Sequence, residues 1–290
     1  MSDVPARANA PDQHTMAPPL LSVEGISVRF AGVKALTDVS FQVLPGDLFA
    51  VIGPNGAGKT SLFNVLSRVY QPVAGKVTFD GRDLLQLKTH QVARAGIARS
   101  FQNLGQFPTT TVLDYLLLGR HTRMRSGILR GGIYIGQTRN EEKNNRAYCI
   151  HLLDLLGLKH LSNYPLGSLP YGLQKRTDLA RALALEPKLL LLDEPVAGMS
   201  LEETEDIASV ILDIKEQLGV TQILVEHDMA VVMGIADRVL VLDFGRVIAQ
   251  GVPAEIQANP DVIKAYLGEE FGSGAVDSIE TTAIPTDDSR

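Results

Sequence analysis

At 290 residues the chain is long enough for one large α/β domain or two small ones, and 45% apolar with 21% charged residues is ordinary for a globular protein. No uninterrupted apolar run approaches the roughly 18 residues of a membrane span, the single cysteine, Cys149, excludes an internal disulfide, and no strongly basic core points to nucleic acid as a partner. The net charge of −6 is mostly local: residues 269–290 carry a balance of −5, which leaves −1 for everything before and marks 271–290 as an acidic, disordered tail.

Residues 1–18 are polar and proline-bearing. They read as a flexible leader without the apolar core of a secretory signal, and a cytoplasmic address is expected. From Leu20 the sequence turns to short β-rich runs at 21–29 and 39–43, then to a buried strand at 47–52. That strand feeds Gly53-Pro54-Asn55-Gly56-Ala57-Gly58-Lys59-Thr60, which fits the pattern Gly-x-x-x-x-Gly-Lys-Ser/Thr. Backbone N–H groups must converge on phosphate oxygens, and glycine lets the main chain come close with positive φ. Lys59 is placed to reach the β- and γ-phosphates, and the Thr60 hydroxyl to ligate Mg²⁺. Thr60 and Ser61 open a helix whose N-terminus favours an anion.

Residues 76–81 read as another strand ending in a turn. A helix-leaning region follows at roughly 110–185, in which Thr111 is placed to cap 112–118 and Ala147, Ile150, Leu153 and Leu156 stand at helical spacing within 145–156. Strands return at 189–192, 222–225 and 239–242. This alternation predicts an α/β fold with a mostly parallel sheet and a helical subdomain inserted into it. The four leucines at 189–192 fit a strand buried on both faces. Asp193 and Glu194 close that strand, where two carboxylates are costly unless they have partners or work. Downstream of a phosphate loop, Asp193 is placed to hold the hydration shell of Mg²⁺ and Glu194 to polarise an attacking water.

Further stretches appear in an order that resembles the nucleotide-binding subunits of ATP-binding-cassette (ABC) transporters. Ser100-Phe101-Gln102 resembles the Q-loop of that family. Leu169-Pro170-Tyr171-Gly172-Leu173 resembles the signature, Ala197-Gly198-Met199-Ser200 the D-loop, and Val225-Glu226-His227-Asp228 the H-loop. The resemblance spans about 20–270. It implies the ABC ATPase fold over 19–270: a P-loop NTPase core, an antiparallel β subdomain, and a helical subdomain at about 103–185. It also implies ATP and Mg²⁺ as cofactors, with Gln102 sensing the γ-phosphate and the metal, His227 contacting the γ-phosphate, and Phe30 stacking on adenine. Lys59, Gln102, Glu194 and His227 would be the catalytic group, and Thr60, Gln102 and Asp193 the metal group. The signature, Leu169 to Leu173, would meet the nucleotide of a second cassette.

Two departures bear on function. The family signature usually reads Leu-Ser-Gly-Gly-Gln; here Pro170 stands for the serine, Tyr171 for the first glycine and Leu173 for the glutamine. Proline offers neither hydroxyl nor N–H, and Ser200 stands where the D-loop aspartate usually is. Weaker support of hydrolysis at the opposite site is expected.

The tyrosine-bearing signature, Glu194-Pro195-Val196-Ala197-Gly198-Met199 and the segment 259–268 resemble the LivG-like branch that powers branched-chain amino-acid importers. That resemblance implies a peripheral subunit on the cytoplasmic side of the membrane. Its partners would be two membrane permease subunits, a second ATPase (LivF-like, or another copy of this chain) and an extracytoplasmic solute-binding protein. The ATPase of a lipid or polysaccharide exporter and a soluble cassette ATPase unconnected with transport are the alternatives. The arginine-bearing segment 119–139 reads either as a solvated loop or as a contact with the permease or anionic headgroups.

Overall fold

In the computed structural model, which describes residues 18–30, 32–100, 107–120 and 137–273, the strand-rich first half divides between two sheets. In chain order come β1 (Leu21–Phe30), β2 (Val33–Val43), β3 (Leu48–Ile52), α1 (Lys59–Leu66), β4 (Ala74–Phe79), β5 (Arg82–Asp83), α2 (Thr89–Ala95) and β6 (Ile97–Arg99). Three helices follow: α3 (Val112–Arg120), α4 (Gln137–Leu155) and α5 (Tyr171–Leu183). The remainder runs β7 (Leu189–Asp193), α6 (Leu201–Leu218), β8 (Thr221–Val225), α7 (Met229–Ile235), β9 (Arg238–Asp243), β10 (Arg246–Gly251), α8 (Pro253–Gln257) and α9 (Pro260–Ser273).

One sheet has the order β2-β1-β4-β5 and is antiparallel; the other has the order β10-β9-β3-β8-β7-β6. In the second sheet β9, β3, β8, β7 and β6 run parallel and only β10 turns back as a hairpin partner of β9. The two faces of the parallel sheet feed two cores. Leu190 and Leu192 point into a core built with α3, α4, α5 and α6. Leu189 and Leu191 point into a core shared with α1 and the antiparallel sheet. Fully burying each leucine contributes about 1.5–3 kcal/mol. A run of four leucines carries no register of its own, because both faces are apolar. Asp193 supplies it, since a one-residue slip would push a carboxylate towards the core.

The Thr111 side-chain oxygen accepts the Asp114 N–H at 3.1 Å and so caps α3 as its sequence predicts. Helix α4 begins at Gln137, eight residues before the expected 145. Its polar first half has no apolar stripe, so periodicity could not reveal it. Helix α6 is absent from the sequence reading although Ile207, Val210, Ile211 and Ile214 line its buried face. Helix α9 runs to Ser273, past the expected tail boundary at 271. The leader up to residue 17, residues 121–136 of the arginine-bearing segment and the tail from 274 lie outside the described residues.

Candidate functional site

The site lies at the carboxyl ends of β3, β7 and β8, adjacent strands of the parallel sheet, where open α/β sheets bind ligands. After β3 the chain enters the phosphate loop. Gly53 has φ +146°, and a Cβ there would stand 2.0 Å from the Leu242 carbonyl oxygen at the end of β9. Gly58 has φ +105° and faces the Ala35 carbonyl oxygen on β2, 2.7 Å from where its Cβ would be. Glycine is required at both positions, and through them the loop is seated on β9 and β2. The loop is closed by Lys59, whose buried ammonium donates to the carbonyl oxygens of Gly53 at 2.5 Å and Pro54 at 3.0 Å. Thr60 is exposed and Ser61 half-buried in the first turn of α1. That turn has no side-chain cap and no acidic residue, so its amides are offered to an anion rather than to a local carboxylate.

At the end of β7, Asp193 is only 2% exposed. Its Oδ2 is paired with the Arg99 guanidinium, while its Oδ1 is buried without a hydrogen-bond partner. A free, hard oxygen beside a phosphate loop fits a hydrated Mg²⁺. Among the described residues no three His, Cys, Asp or Glu side chains converge on a metal position. Arg99 also donates to Asn64 Oδ1 on α1 at 2.9 Å, and its guanidinium lies 5.7 Å from the centre of the Phe63 ring.

Glu194 follows with φ +48°. A non-glycine residue in the left-handed region costs of order 1–3 kcal/mol and persists only where its surroundings fix it. Its N–H donates to the Val225 carbonyl at 2.9 Å. After β8 comes Glu226, fully buried, and then His227, whose side chain is 61% exposed. Burial pushes the Glu226 carboxyl above the usual range, against the opposing effect of the Val196, His227 and Asp228 amides.

Phe30 ends β1, is 41% exposed, and meets Tyr70 edge-on with ring centres 4.6 Å apart. It pairs with Val33 across the hairpin that leads to Ala35 and the phosphate loop. Gln102 lies outside the described residues, but Ser100, at the head of its loop, is anchored by its N–H to the Leu191 carbonyl at 3.0 Å.

The signature forms the start of α5. Leu169 is buried, Pro170 is the N-cap without a side-chain bond, Tyr171 is exposed, and Gly172 and Leu173 are half-buried. Gly172 faces Glu203 of α6; a Cβ there would come within 3.0 Å of Glu203 Oε1. The Ser200 N–H, then the Ser200 hydroxyl and the Gly172 N–H, hold the Glu203 carboxyl below its ordinary range. Arg99, Asn64, Glu203 and Glu226 were not singled out from the sequence. For Arg99 and Glu226 a signal existed: a cation and an acid, each closing a short apolar strand.

A glycine loop gripping a lysine, an acidic strand end and a histidine just beyond the neighbouring strand define a P-loop nucleotide-binding cassette. The model of the family described as ABC transporter matches residues 36–197. That of the branched-chain amino acid ATP-binding cassette transporter matches residues 246–272. The high-affinity branched-chain amino acid transport ATP-binding protein BraF of Pseudomonas aeruginosa is 39% identical over 88% of this chain and 100% of its own length. LivG of Escherichia coli K12 is 38% identical with the same coverage. A crystal structure of the ADP conformation of an ABC transporter cassette, 30% identical, superposes with a TM-score of 0.77 over 87% of this chain and 100% of that one. The chain belongs to the ATP-binding proteins of ABC transporters, in the branched-chain amino-acid family.

Proposed function

We propose that this chain is the ATP-hydrolysing subunit of an importer for branched-chain or related amino acids. The observation that carries the reading is the placement of the phosphate loop, Asp193, Glu194 and His227 at the carboxyl ends of the neighbouring strands β3, β7 and β8, in a chain of which 88% matches the whole length of branched-chain amino acid transport ATP-binding proteins.

The backbone N–H groups of the loop 53–61, in which Pro54 has none, and the Lys59 ammonium hold the phosphates of ATP, and Phe30 offers a ring face to adenine. When bound, Mg²⁺ neutralises charge on the phosphoryl oxygens; Thr60, Asp193 and Gln102 are the residues that would hold it. Glu194 takes the proton of the attacking water or polarises it, and His227 steadies the γ-phosphate. The signature, from Leu169 through Pro170, Tyr171 and Gly172 to Leu173, meets the nucleotide of a second cassette, either a LivF-like subunit or another copy. ATP held by both halves favours the closed pair, and loss of the γ-phosphate releases it.

No helix among the described residues is long and apolar enough to cross a membrane. Transport therefore falls to two permease subunits, fed by a solute-binding protein, with this chain at the cytoplasmic face. A groove of about 540 Å³ between α2 and the α3–α5 layer, lined by Val69, Val92, Ile97, Phe107 and Leu185, supports permease docking beside Ser100.

The test is the transporter purified through this subunit and reconstituted in vesicles. Leucine, isoleucine or valine uptake should require ATP. Glu194→Gln should lower ATP turnover by about 10²–10⁴-fold, the range of general-base catalysis, while ATP still binds. Unchanged turnover would make this a non-catalytic subunit, and ATP-independent uptake would remove the importer reading.

A further inference from the structure

We infer that Glu226 is a positioning residue for ATP hydrolysis: its carboxylate ties the turn carrying Glu194 to the loop carrying His227 and so fixes their spacing. This rests on the role given above to Glu194 as the group that activates water.

Glu226 follows directly after β8, and its side chain is 0% exposed. An acid in the core is retained at a cost that only good partners or a task offset. Its Oε1 accepts the Val196 N–H at 3.0 Å and its Oε2 accepts the His227 N–H at 3.2 Å. Oε2 also lies 3.9 Å from His227 Nδ1. One carboxylate thus touches both catalytic loops.

The turn it braces has few other anchors. Glu194 is held at φ +48°, and the next residue, Pro195, has no N–H to give. Two bonds bracket this strained position: the Glu194 N–H to the Val225 carbonyl and the Val196 N–H to Glu226. Both acceptors belong to consecutive residues at the end of β8. Removing the second leaves the turn tied to β8 only through the Glu194 N–H, its remaining Ala197 N–H to Glu194 carbonyl bond at 3.3 Å being internal to the turn, and an off-position catalytic group loses rate out of proportion to the displacement.

Glu226→Gln keeps the size but replaces one accepting oxygen with an NH₂ that confronts a backbone N–H. Glu226→Asp keeps the acid but is one methylene too short to reach both loops. In the purified complex each variant should lower kcat by about 10–100-fold. The KM for ATP, and the Kd for a non-hydrolysable ATP analogue, should stay within about threefold, because the phosphate loop is untouched. In a Glu194→Gln background, single-turnover hydrolysis should show no further loss from Glu226→Gln, since one residue acts through the other.

Turnover near wild type, a loss of binding in step with turnover, or full additivity with Glu194→Gln would each overturn the inference. A dead Glu194→Gln beside a fully active Glu226→Gln would overturn it and leave the proposed function standing; an active Glu194→Gln would overturn both. If melting shows that Glu226→Gln does not fold, Glu226→Asp carries the test by the same criteria.

Discussion

Replacing Arg99 with glutamine should destabilise the nucleotide-free chain by about 3 kcal/mol, because it removes the countercharge of a buried carboxylate. The Asp193 side chain is 1% exposed and that of Arg99 23%. Removing one member of a fully buried ion pair costs about 3–5 kcal/mol, and water at the edge of Arg99 brings the expected cost to about 2–3 kcal/mol. The lost bond to Asn64 adds about 0.5–1.5 kcal/mol. Asp193 has no second donor to turn to, since its Oδ1 has no partner in the fold. For a chain of this size 1 kcal/mol moves the melting temperature by about 2–4 °C, so a fall of about 6–12 °C follows. Urea melts in EDTA on the full chain, repeated in an Asp193→Asn background, measure both the cost and its cause. Once the carboxylate is neutral, the same substitution should cost less than about 1.5 kcal/mol. An Arg99→Gln cost below about 1 kcal/mol, or the same cost in both backgrounds, would refute the pairing as the source of stability.

Pro170→Ser should raise ATP turnover of the assembled complex, because serine restores a hydroxyl at the N-cap of α5, which has no side-chain cap now. Unchanged turnover removes the idea that this signature is impaired. Glu226 makes stability fall with pH in a defined direction. Its folded carboxyl is raised above the ordinary 4.5 by burial, so the folded chain holds this proton more tightly than the unfolded chain does. That contribution is complete below about 4.5 and is lost as pH rises through the folded value. Urea melts across this window should show wild type losing stability relative to Glu226→Gln as pH rises; a wild-type advantage that grows with pH contradicts it.

The phosphate loop was legible because its demands are local: positive φ at glycine, a lysine one helical step on, a strand before and a helix after. The leucine strand and its acids were legible for the same reason. What was hidden depends on distant pairing. Arg99 and Asp193 meet only because β6 and β7 run side by side in register, with Arg99 opposite Leu191. A three-residue strand such as β6 is too short for any period to show. The φ of Glu194 was hidden as well, since nothing in its residue type asks for the left-handed region and the neighbouring strand end imposes it. Helix α6 is different: its apolar stripe, Ile207, Val210, Ile211 and Ile214, stands in the sequence at helical spacing.

The way the helix ends are capped bears on the proposal that two cassettes share a nucleotide. Helix α6 is closed by its own Ser200 and Glu203, and α7 by Asp228, whose Oδ1 accepts the Val231 N–H at 3.1 Å. These ends need nothing further. Helix α1 has no side-chain cap and stands beside Asp193 with its unpartnered oxygen, so a magnesium-bound phosphate would satisfy both groups at once. Helix α5 also lacks a side-chain cap, as do α2 and α8, and its start faces Glu203, which accepts the Gly172 N–H, rather than the phosphate loop. Glu203 is bound chiefly to Ser200 of its own capping box. On the proposed reading, the other amides at the start of α5 would meet the phosphates held by a second cassette. Two cassettes placed so that each α5 meets the other's loop would share the same nucleotides, which is the pairing the proposed function calls for.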